Sequence, residues 1–545
     1  MRGLMQERPL LVAGLLEYAE QYHGDTAIVS RLPDRSIDRS DWRRIGQRSR
    51  RLANALGRLG LGRGDRVATL AWNSFRHLEL YFGVAGSGGV LNTVNPRLFP
   101  EQIQYIIEHA ENGYVFFDLT FAALVEKLVP LLPGVKAWVA LCEPGELPAM
   151  PGVALLCYET LLAGESDAYA WPALDERDAC ALCYTSGTTG HPKGVLYSHR
   201  SQVLHAMAAC TLDALSISSR DSILLIVPLF HANAWGVPFA AAMAGAKLVL
   251  PGPLLDGESV FNLMRDEGCN FSMGVPTVWL GFFDYIERNR ASLDLSAIRL
   301  ERVAVGGSAA PRAVIAKFQE MLGTFLIHAW GMTETSPLGA VGNPLPKHRG
   351  ISLDARYDLQ TRQGRPIYGA ELRILGPDGT VQPHDGVAVG DLQIRGNWVV
   401  SAYFKGDGPA TDAEGWFTTG DVAKIDPDGY VQLTDRSKDV IKSGGEWISS
   451  IDVENIAVGH PDVQEAAVIG VYHPKWQERP LLLIQRKAGR EPSKADILGF
   501  LEGRIAKWWM PDDVVFVESL PHTATGKLLK TALRETFRDH LAGAS

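Results

Sequence analysis

Cysteine is scarce in this chain, with six residues among 545. Small secreted scaffolds use far more cysteine, so the composition favours a reducing compartment and we expect a cytoplasmic protein. The only close pair, Cys180 and Cys183, has the C-x-x-C spacing that redox and zinc sites use. It lies in an apolar segment that predicts a buried strand, on which residues three apart point to opposite faces. We therefore interpret both thiols as core side chains.

Clustered positive charge and long unbroken apolar runs are also lacking. The chain has 53 Lys and Arg against 62 Asp and Glu, a net charge of −9, without blocks of basic residues. Nucleic-acid binders need a clustered basic surface, so we expect no nucleic-acid partner. Residues 222–246 carry no formal charge, but Pro228, Gly236 and Pro238 interrupt them. A spanning helix needs about 20 mostly apolar residues, so this stretch predicts a strand, a loop and a helix, with no membrane insertion.

The chain does have enough length and apolar content for several cores, with 46% hydrophobic residues. From about residue 45 to 340, helical periodicity alternates with short apolar strands such as Arg66–Leu70 and Ser222–Val227. Such alternation predicts parallel sheets covered by helices, which is an α/β fold.

The pattern changes after residue 365. Residues 370–374 alternate with period two and lead into Pro-Asp-Gly at 377–379, and Asp-Pro-Asp-Gly at 426–429 precedes another apolar strand. Both segments predict antiparallel hairpins.

The charged segment 435–439 marks a junction between two parts of the chain. We predict a large N-terminal domain over residues 1–435, made of two helix-covered sheets plus a β-barrel-like subdomain. A small, mobile α+β domain would follow over residues 436–545. Ser449 with Asp452 three residues later is typical of a helix cap, which would open that domain.

Residues 184–194 read YTSGTTGHPKG, directly after a predicted strand. The glycines free the backbone for close approach to a polyanion, four hydroxyls offer neutral hydrogen bonds, and Lys193 offers a positive charge. The composition predicts a phosphate-binding loop, and a flexible surface loop is the plain alternative. A Walker A sequence does not occur in the chain, so a kinase or motor ATPase is disfavoured.

This loop resembles the signature of the adenylate-forming superfamily of acyl-CoA synthetases, adenylation domains and firefly luciferase. Four more motifs of that superfamily follow in the same order: WGMTE at 330–334, TGD at 419–421, DRSKDVIKSGGE at 435–446 and TGK at 525–527. The segment PLFHANAWG at 228–236 is similar to the version in fatty-acyl-CoA synthetases. The whole chain is similar to bacterial medium-chain fatty-acid ligases, with ligases for methylthiopropionate in the same neighbourhood.

The resemblance implies a ligase that uses ATP, Mg²⁺ and CoA. A carboxylate would attack the α-phosphorus of ATP, which releases pyrophosphate and leaves an acyl-AMP, and the CoA thiol would then displace AMP. The expected acid is a medium-chain fatty acid; methylthiopropionate or a long-chain fatty acid is an alternative. A carrier-protein thiol in place of CoA, an enzyme that stops at the acyl-adenylate, and a binding protein without turnover also stay open. Homodimers are the commonest oligomers, but the sequence does not decide the oligomeric state.

The same resemblance implies roles for residues in the motifs. Lys527 would bridge carboxylate and phosphate oxygens in the first step. Thr333 would bond the α-phosphate, and Glu334 would hold Mg²⁺ together with Thr188. His231 would lie near the acyl carboxylate. As ordinary structural residues, Lys527 would be a solvated tail lysine and the Thr-Glu pair a helix cap.

Asp421 would accept both ribose hydroxyls, and Arg436 would reach the ribose as well. After the first step the small domain would rotate about Lys438, withdraw Lys527 and present Lys442 to CoA. A turn aspartate and solvated loop lysines are the structural alternatives for these positions.

Trp330 stands where the superfamily commonly has tyrosine, so it could stack on adenine but lacks the phenol hydroxyl. Trp235 would gate the acyl tunnel, although a tryptophan at helical spacing also suits a core. The expected nucleotide- and CoA-binding residues are Thr185, Ser186, Gly187, Thr188, Thr189, Gly190, Lys193, Gly307, Ser308, Ala309, Trp330, Gly331, Met332, Asp421, Arg436, Lys438, Lys442, Gly444, Gly445 and Trp447. The expected acyl-site residues are His231, Trp235, Gly306 and Gly331.

Overall fold

The computed structural model describes residues 1, 3–185, 191–436, 439–443, 446–523 and 527–542, and only the backbone at 446 and 447. Some predicted site residues lie outside these ranges: Ser186, Gly187, Thr188, Thr189, Gly190, Lys438, Gly444 and Gly445.

The α-helices in the described ranges are α1 Val12–His23, α2 Trp42–Arg58, α3 Phe75–Gly86, α4 Pro100–His109, α5 Ala122–Leu128, α6 Tyr158–Ala163, α7 His199–Ala209, α8 Ala232–Trp235, α9 Val237–Ala244, α10 Gly257–Asp266, α11 Pro276–Arg288, α12 Arg312–Leu322, α13 Leu353–Gln360, α14 Ser450–Ala457, α15 Lys494–Leu501 and α16 Lys530–Thr536.

The strands are β1 Ala27–Arg31, β2 Ile37–Asp41, β3 Arg66–Leu70, β4 Val90–Thr93, β5 Asn112–Phe117, β6 Ala137–Ala140, β7 Leu155–Cys157, β8 Ala179–Tyr184, β9 Gly194–Ser198, β10 Ser222–Leu225, β11 Lys247–Leu250, β12 Phe271–Gly274, β13 Arg302–Val305, β14 Phe325–Gly331, β15 Leu338–Val341, β16 Arg365–Pro366, β17 Ala370–Leu375, β18 Gly390–Gly396, β19 Phe417–Ile425, β20 Val431–Arg436, β21 Ile441–Ser443, β22 Glu446–Ile448, β23 Val463–His473, β24 Gln477–Arg486 and β25 Asp513–Val517.

Two large, mostly parallel sheets form the body of the molecule, as the α/β prediction requires. One has strand order β7-β6-β5-β3-β4-β8-β9, parallel except where β9 runs against β8. The other has order β16-β15-β14-β13-β12-β10-β11-β1-β2, with antiparallel pairs confined to its two ends. Strands of such sheets are buried on both faces, which explains their continuous apolar runs.

Helix α3 lies between the two sheets. Every one of its residues is buried, and it contacts β4 and β8 of one sheet and β1 of the other. Ser74 caps its first turn by accepting a hydrogen bond from the backbone N–H of His77. The body is therefore layered, with one buried helix shared by both sheets.

The predicted β-barrel-like subdomain corresponds to a four-stranded antiparallel sheet of order β17-β18-β19-β20. The turn at 426–429 joins β19 to β20, and Gly429 supplies the positive φ of 83° that this turn needs. After the turn at 377–379 the chain returns only as a single bridge between Leu375 and Val381 before β18 begins. The hairpin predicted at 426–429 thus forms a full ladder, and the one predicted at 377–379 has a single bridge.

The last part of the chain builds a separate sheet of order β22-β21-β24-β23, with β25 parallel to β24. It has apolar cores of its own on both faces, around Val468 and Leu482 on one side and Ile469 and Leu481 on the other. Ser449 accepts a hydrogen bond from the N–H of Asp452, as the capping pattern predicts.

Two further expectations are confirmed. Cys180 and Cys183 lie on β8, both buried and both free. The uncharged stretch 222–246 forms β10, a loop and α9. Within the ranges that the structure describes, no helix is both long and apolar enough to cross a membrane.

Candidate active site

Lys527 reaches out of the C-terminal part of the chain to the body. A Cβ placed on Gly307 would lie 3.8 Å from Cε of Lys527 and 3.9 Å from Cζ2 of Trp235. Burial lowers the pKa of Lys527 to about 8, and the charge of Arg436 acts in the same direction. The carboxylates of Asp421 and Glu334 oppose this shift. The Lys527 side chain therefore lies among five residues from separated parts of the sequence: Trp235, Gly307, Glu334, Asp421 and Arg436.

Asp421 forms the centre of one side of this cluster. It is 3% exposed, and its Oδ2 accepts a hydrogen bond from Nε1 of Trp330 at 3.0 Å. Nε of Arg436 pairs with Oδ1 at 2.9 Å, because the two residues are directly opposite in the β19–β20 ladder. The carboxylate is thereby fixed in orientation, and Arg436 is half exposed.

Glu334 lies on a single turn of 3-10 helix, Thr333–Thr335, that follows β14. Its side chain is nearly buried, and Oε1 accepts a hydrogen bond from the hydroxyl of Tyr403 at 2.8 Å. Burial, followed by the charge of Glu334, raises the pKa of the Tyr403 phenol, so this group stays a donor. The hydroxyl of Tyr197 donates to the carbonyl of Thr333 at 2.6 Å. Tyr403 and Tyr197 thus hold Glu334 and Thr333 in place through hydrogen bonds.

The two ends of the predicted phosphate loop are joined to each other. The N–H of Thr185 donates to the carbonyl of Lys193 at 2.9 Å, and Oγ1 of Thr185 accepts from the N–H of Lys193 at 3.2 Å. The Lys193 ammonium lies 4.8 Å from the centre of the Tyr403 ring. Lys193 is therefore connected to Glu334 through a single tyrosine.

The predicted acyl side of the cluster is built on α8, whose backbone is a left-handed turn and not a regular right-handed helix. Residues Ala232, Asn233, Ala234 and Trp235 all have positive φ, and Gly236 continues the left-handed path. This conformation costs roughly 1–2 kcal/mol for each ordinary L-residue, so the surroundings must hold it in place. It brings the indole of Trp235 against Gly306, where an added Cβ would lie 3.3 Å from Cη2.

His231 begins this turn and is half-buried. Burial, helped by the positive charge of Lys527, lowers the pKa of His231 to about 3. The imidazole is neutral at physiological pH and can donate or accept a hydrogen bond without adding charge.

Two glycines allow close backbone approach at the site. A Cβ on Gly331 would lie 1.9 Å from the carbonyl oxygen of Pro337, so no other residue fits there. Gly307 has a φ of 81°, which an L-residue rarely adopts. Ser308 and Ala309 follow it, exposed and half-buried, at the end of β13, and Met332 leads into the 3-10 turn.

Lys442 is not brought to this cluster. It lies on β21 with an exposed side chain, opposite Trp447 on β22, and its backbone N–H donates to Glu478 of the same sheet. The structure therefore brings Lys527 near Asp421, Glu334 and Arg436 and leaves Lys442 at the surface.

Two family models match the chain: AMP-binding enzyme over residues 15–404, and AMP-binding enzyme C-terminal domain over residues 452–527. The chain belongs to the AMP-binding enzyme family. It is 50% identical to a 3-methylmercaptopropionyl-CoA ligase from Ruegeria lacuscaerulensis and 47% identical to a medium-chain-fatty-acid–CoA ligase from Ectopseudomonas oleovorans. The first alignment covers 100% of both chains, and the second covers 100% of this chain and 99% of the relative.

Solved structures agree with the fold. The anthranilate CoA ligase AuaEII in complex with anthranoyl-AMP matches with a TM-score of 0.85 at 25% identity, over 99% of each chain. ATP-bound MatB from Rhodopseudomonas palustris matches with a TM-score of 0.81 at 25% identity, over 97% of this chain and 99% of that one. This AMP-binding enzyme is accordingly an acyl-CoA ligase, an acid–thiol ligase that uses ATP and CoA.

Sequence reasoning overlooked the tyrosines of this AMP-binding enzyme. Tyr403 and Tyr197 lie outside every motif, and their contacts with Glu334 and Thr333 join residues 69 and 136 positions apart. The one available signal was the spacing of Tyr197 from the phosphate loop, since it lies on the strand that leaves the loop. The bond between Trp330 and Asp421 was also not expected.

Proposed function

We propose that this acyl-CoA ligase activates an unbranched aliphatic acid of medium chain length, with Lys527 as the cation of the adenylation step. The observation that carries the proposal is the position of Lys527. Its pKa responds to Asp421 and Glu334 on one side, and its Cε lies beside Gly307 near Trp235 on the other. An ammonium group at this place can contact both a triphosphate and an acyl carboxylate.

The first step brings together two anions, a carboxylate and the α-phosphate of ATP. Placed cations and hydrogen-bond donors lower the barrier of such a step, because negative charge accumulates where they point. We assign Lys527 to bridge the two reacting groups and Thr333 to bond the α-phosphate. Neutral His231 would lie against the acyl carboxylate without trapping it as an ion pair.

Asp421 would accept the ribose hydroxyls on the nucleotide side. Its carboxylate is held by Trp330 and Arg436, which supports a fixed acceptor at the edge of β19. We assign Arg436, which is half exposed, to reach the ribose as well. Lys193 and Thr185, at the two ends of the loop, would bind the phosphates.

Glu334 fits a magnesium ligand. Mg²⁺ is usually bound by one or two carboxylates together with substrate phosphates and water, so a single oriented carboxylate is sufficient. Tyr403 orients Glu334 through Oε1. No group of three or more His, Cys, Asp or Glu suited to a metal occurs among the described residues, which agrees with a site completed by phosphates. The ion would neutralise phosphate charge when bound.

In the second step CoA displaces AMP, and we propose that residues 436–545 rotate between the two steps. Lys527 would leave the site and the hairpin of β21 and β22 would take its place, with Lys442 turned toward CoA. The exposure of Lys442 supports this, because in the present arrangement its side chain is at the surface while Lys527 lies in the site.

The relatives support two acids of similar shape. In 3-methylmercaptopropionate a sulfur replaces one methylene of pentanoate, so a pocket for an unbranched chain would accept both. The wall formed by Trp235, Gly306 and the Val275 side chain beside Gly307 is apolar and suits either chain.

We place the enzyme in the cytoplasm, because its six cysteines are all free.

A substrate panel tests the proposal. CoA-dependent release of AMP would be measured with straight-chain acids from propionate to stearate, with pentanoate and 3-methylmercaptopropionate as a matched pair. We expect kcat/KM to be greatest between pentanoate and decanoate. A preference for the thioether by about tenfold or more over pentanoate would favour the alternative acid, and AMP release at the same rate without CoA would contradict thioester formation.

A further inference from the structure

The left-handed turn at residues 232–236 needs an explanation, because three of its five residues are of types that rarely adopt positive φ. The φ values are 43° for Ala232, 52° for Asn233, 48° for Ala234, 56° for Trp235 and 74° for Gly236. Asparagine and glycine tolerate this region far better than alanine or tryptophan. Within the turn, only Asn233 and Gly236 are residue types that readily adopt a positive φ.

Asn233 is the residue that ties the turn to the core. Its side chain is fully buried. The thiol of Cys183 donates to its Oδ1 at 3.4 Å, and its Nδ2 donates to Oε1 of Gln202 at 3.5 Å. Both partners are themselves buried. An amide held at both ends fixes the turn without any contact to the surface.

Cys183 links this contact to the phosphate side of the site. It lies on β8, two residues before Thr185, and its Sγ is 3.3 Å from Oγ1 of Thr93. Burial raises the pKa of the Cys183 thiol to about 11, so it stays protonated and can donate. The strand that enters the phosphate loop thereby contacts the turn that carries Trp235.

Gly236 is held from the other side by His205. A Cβ on Gly236 would lie 2.5 Å from Nδ1 of this buried histidine, and Nε2 of His205 accepts from the N–H of Leu338. The turn has no room to relax in this direction. Residues 232–235, which include the indole that packs on Gly306, have Asn233 as the residue whose side chain bonds to the core.

We propose that Asn233 is a positioning residue for the acyl acid: its buried amide holds the left-handed turn that follows His231 and places Trp235 against Gly306. The proposal rests on the proposed function, because it takes this side of the site to be the acyl side. It assigns Asn233 an effect on the acid and its chain length, and none on ATP.

The test replaces Asn233 with alanine and with glycine. Asn233→Ala removes the amide and keeps a Cβ that disfavours positive φ, and we expect the KM for the acid to rise about tenfold while the KM for ATP stays within about twofold. Asn233→Gly also lacks the amide but accepts the backbone conformation, so it should recover part of the loss. The ratio of kcat/KM between octanoate and propionate should fall in Asn233→Ala.

Cys183→Ala removes the buried partner and leaves the turn sequence intact. We expect a smaller rise of about threefold in the KM for the acid, in the same direction. This variant also carries the test if Asn233→Ala fails to fold. As a matched control, Asn343→Ala deletes an amide that donates to the carbonyl of Ala214 at 2.7 Å, and it should change stability without changing acyl preference.

Trp235→Ala and the wild-type protein together distinguish a failure of the Asn233 proposal from a failure of the proposed function. If it changes acyl preference while Asn233→Ala and Cys183→Ala leave both the KM for the acid and the octanoate-to-propionate ratio unchanged, Asn233 does not position the site. If the wild-type protein forms no acyl-CoA with any straight-chain acid, the proposed function itself is wrong.

Discussion

Two lysines of the C-terminal sheet region, Lys527 and Lys442, have opposite surroundings. Lys527 is drawn into the body, where burial and Arg436 lower its pKa to about 8. Lys442 is exposed on β21 and contacts its own sheet. The difference is what the proposed rotation of residues 436–545 would require, and in the present structure Lys527 is the lysine that lies inside.

The present orientation is held at the junction by buried polar contacts. Oδ2 of Asp435, at the end of β20, accepts hydrogen bonds from the N–H of Ser450 at 2.9 Å and from its hydroxyl at 2.7 Å. Ser449 donates its hydroxyl to the carbonyl of Thr434 at 2.5 Å. The proposed rotation would have to exchange these bonds for others, so they would favour the present arrangement.

The largest expected effect comes from Lys527→Ala. Loss of one placed cation typically lowers the rate by about 10²–10³-fold, so acid-dependent ATP–pyrophosphate exchange should fall by that amount while ATP still binds. Lys494→Ala is the matched control, because it removes an exposed lysine of the same region that pairs with Asp513 at 2.7 Å. An unchanged exchange rate in Lys527→Ala would contradict the assignment of Lys527 as the cation of the adenylation step.

Asp421→Ala should have the next largest effect, on ATP. The variant removes an acceptor that Trp330 and Arg436 hold in place, and a hydrogen bond to a charged group contributes about 1.5–3 kcal/mol. We expect the KM for ATP to rise roughly 10- to 100-fold, with little change in the KM for the acid. Asp428→Ala, at the turn between β19 and β20, serves as control, and equal effects of the two would contradict a ribose role.

The pH dependence of adenylation tests whether Lys527 acts through its positive charge. Lys527 must be protonated to act as a cation, and its pKa is lowered to about 8, so kcat/KM for adenylation should fall as the pH rises above about 8. The negative charge of bound ATP favours the ammonium form, so the same limb in kcat should lie at higher pH. Lys527→Arg stays charged and should lose the alkaline limb, whatever its absolute rate. A limb that survives in this variant would belong to another group.

Tyr403→Phe should give the smallest of these effects. It deletes the hydroxyl that orients Glu334 and keeps the ring beside Lys193. We expect a rise of about three- to tenfold in the Mg²⁺ concentration needed for half-maximal rate. Tyr430→Phe deletes a similar hydroxyl, which donates to the carbonyl of Asn343 at 2.6 Å, and should leave the Mg²⁺ dependence unchanged.

Much of the fold follows from local sequence. The apolar segment 66–70 is strand β3 as predicted, and the turn at 426–429 joins two strands where its sequence requires. These elements depend on neighbours in the chain, so periodicity and turn chemistry suffice to predict them. The carboxylates of Glu334 and Asp421 are near enough to Lys527 to raise its pKa, while the roles that the family resemblance implies for these residues stay predictions.

What could not be predicted depends on contacts across the fold. The left-handed φ of Ala232 and Ala234 contradicts local preference, and the residue between them, Asn233, is hydrogen-bonded to the buried side chains of Cys183 and Gln202. Tyr403 acts on Glu334 from 69 residues away, which no spacing rule can indicate. At these positions the tertiary structure overrides the local sequence, and they lie at the site.

The most direct test of the two-orientation account measures the second half-reaction alone. Wild-type protein, Lys527→Ala and Lys442→Ala would each be given synthetic acyl-AMP and CoA, and formation of acyl-CoA would be followed. We expect Lys527→Ala to form acyl-CoA at close to the wild-type rate, although it is defective in ATP–pyrophosphate exchange, and Lys442→Ala to show the reverse pattern. Equal loss of both half-reactions in both variants would contradict separate roles for the two lysines.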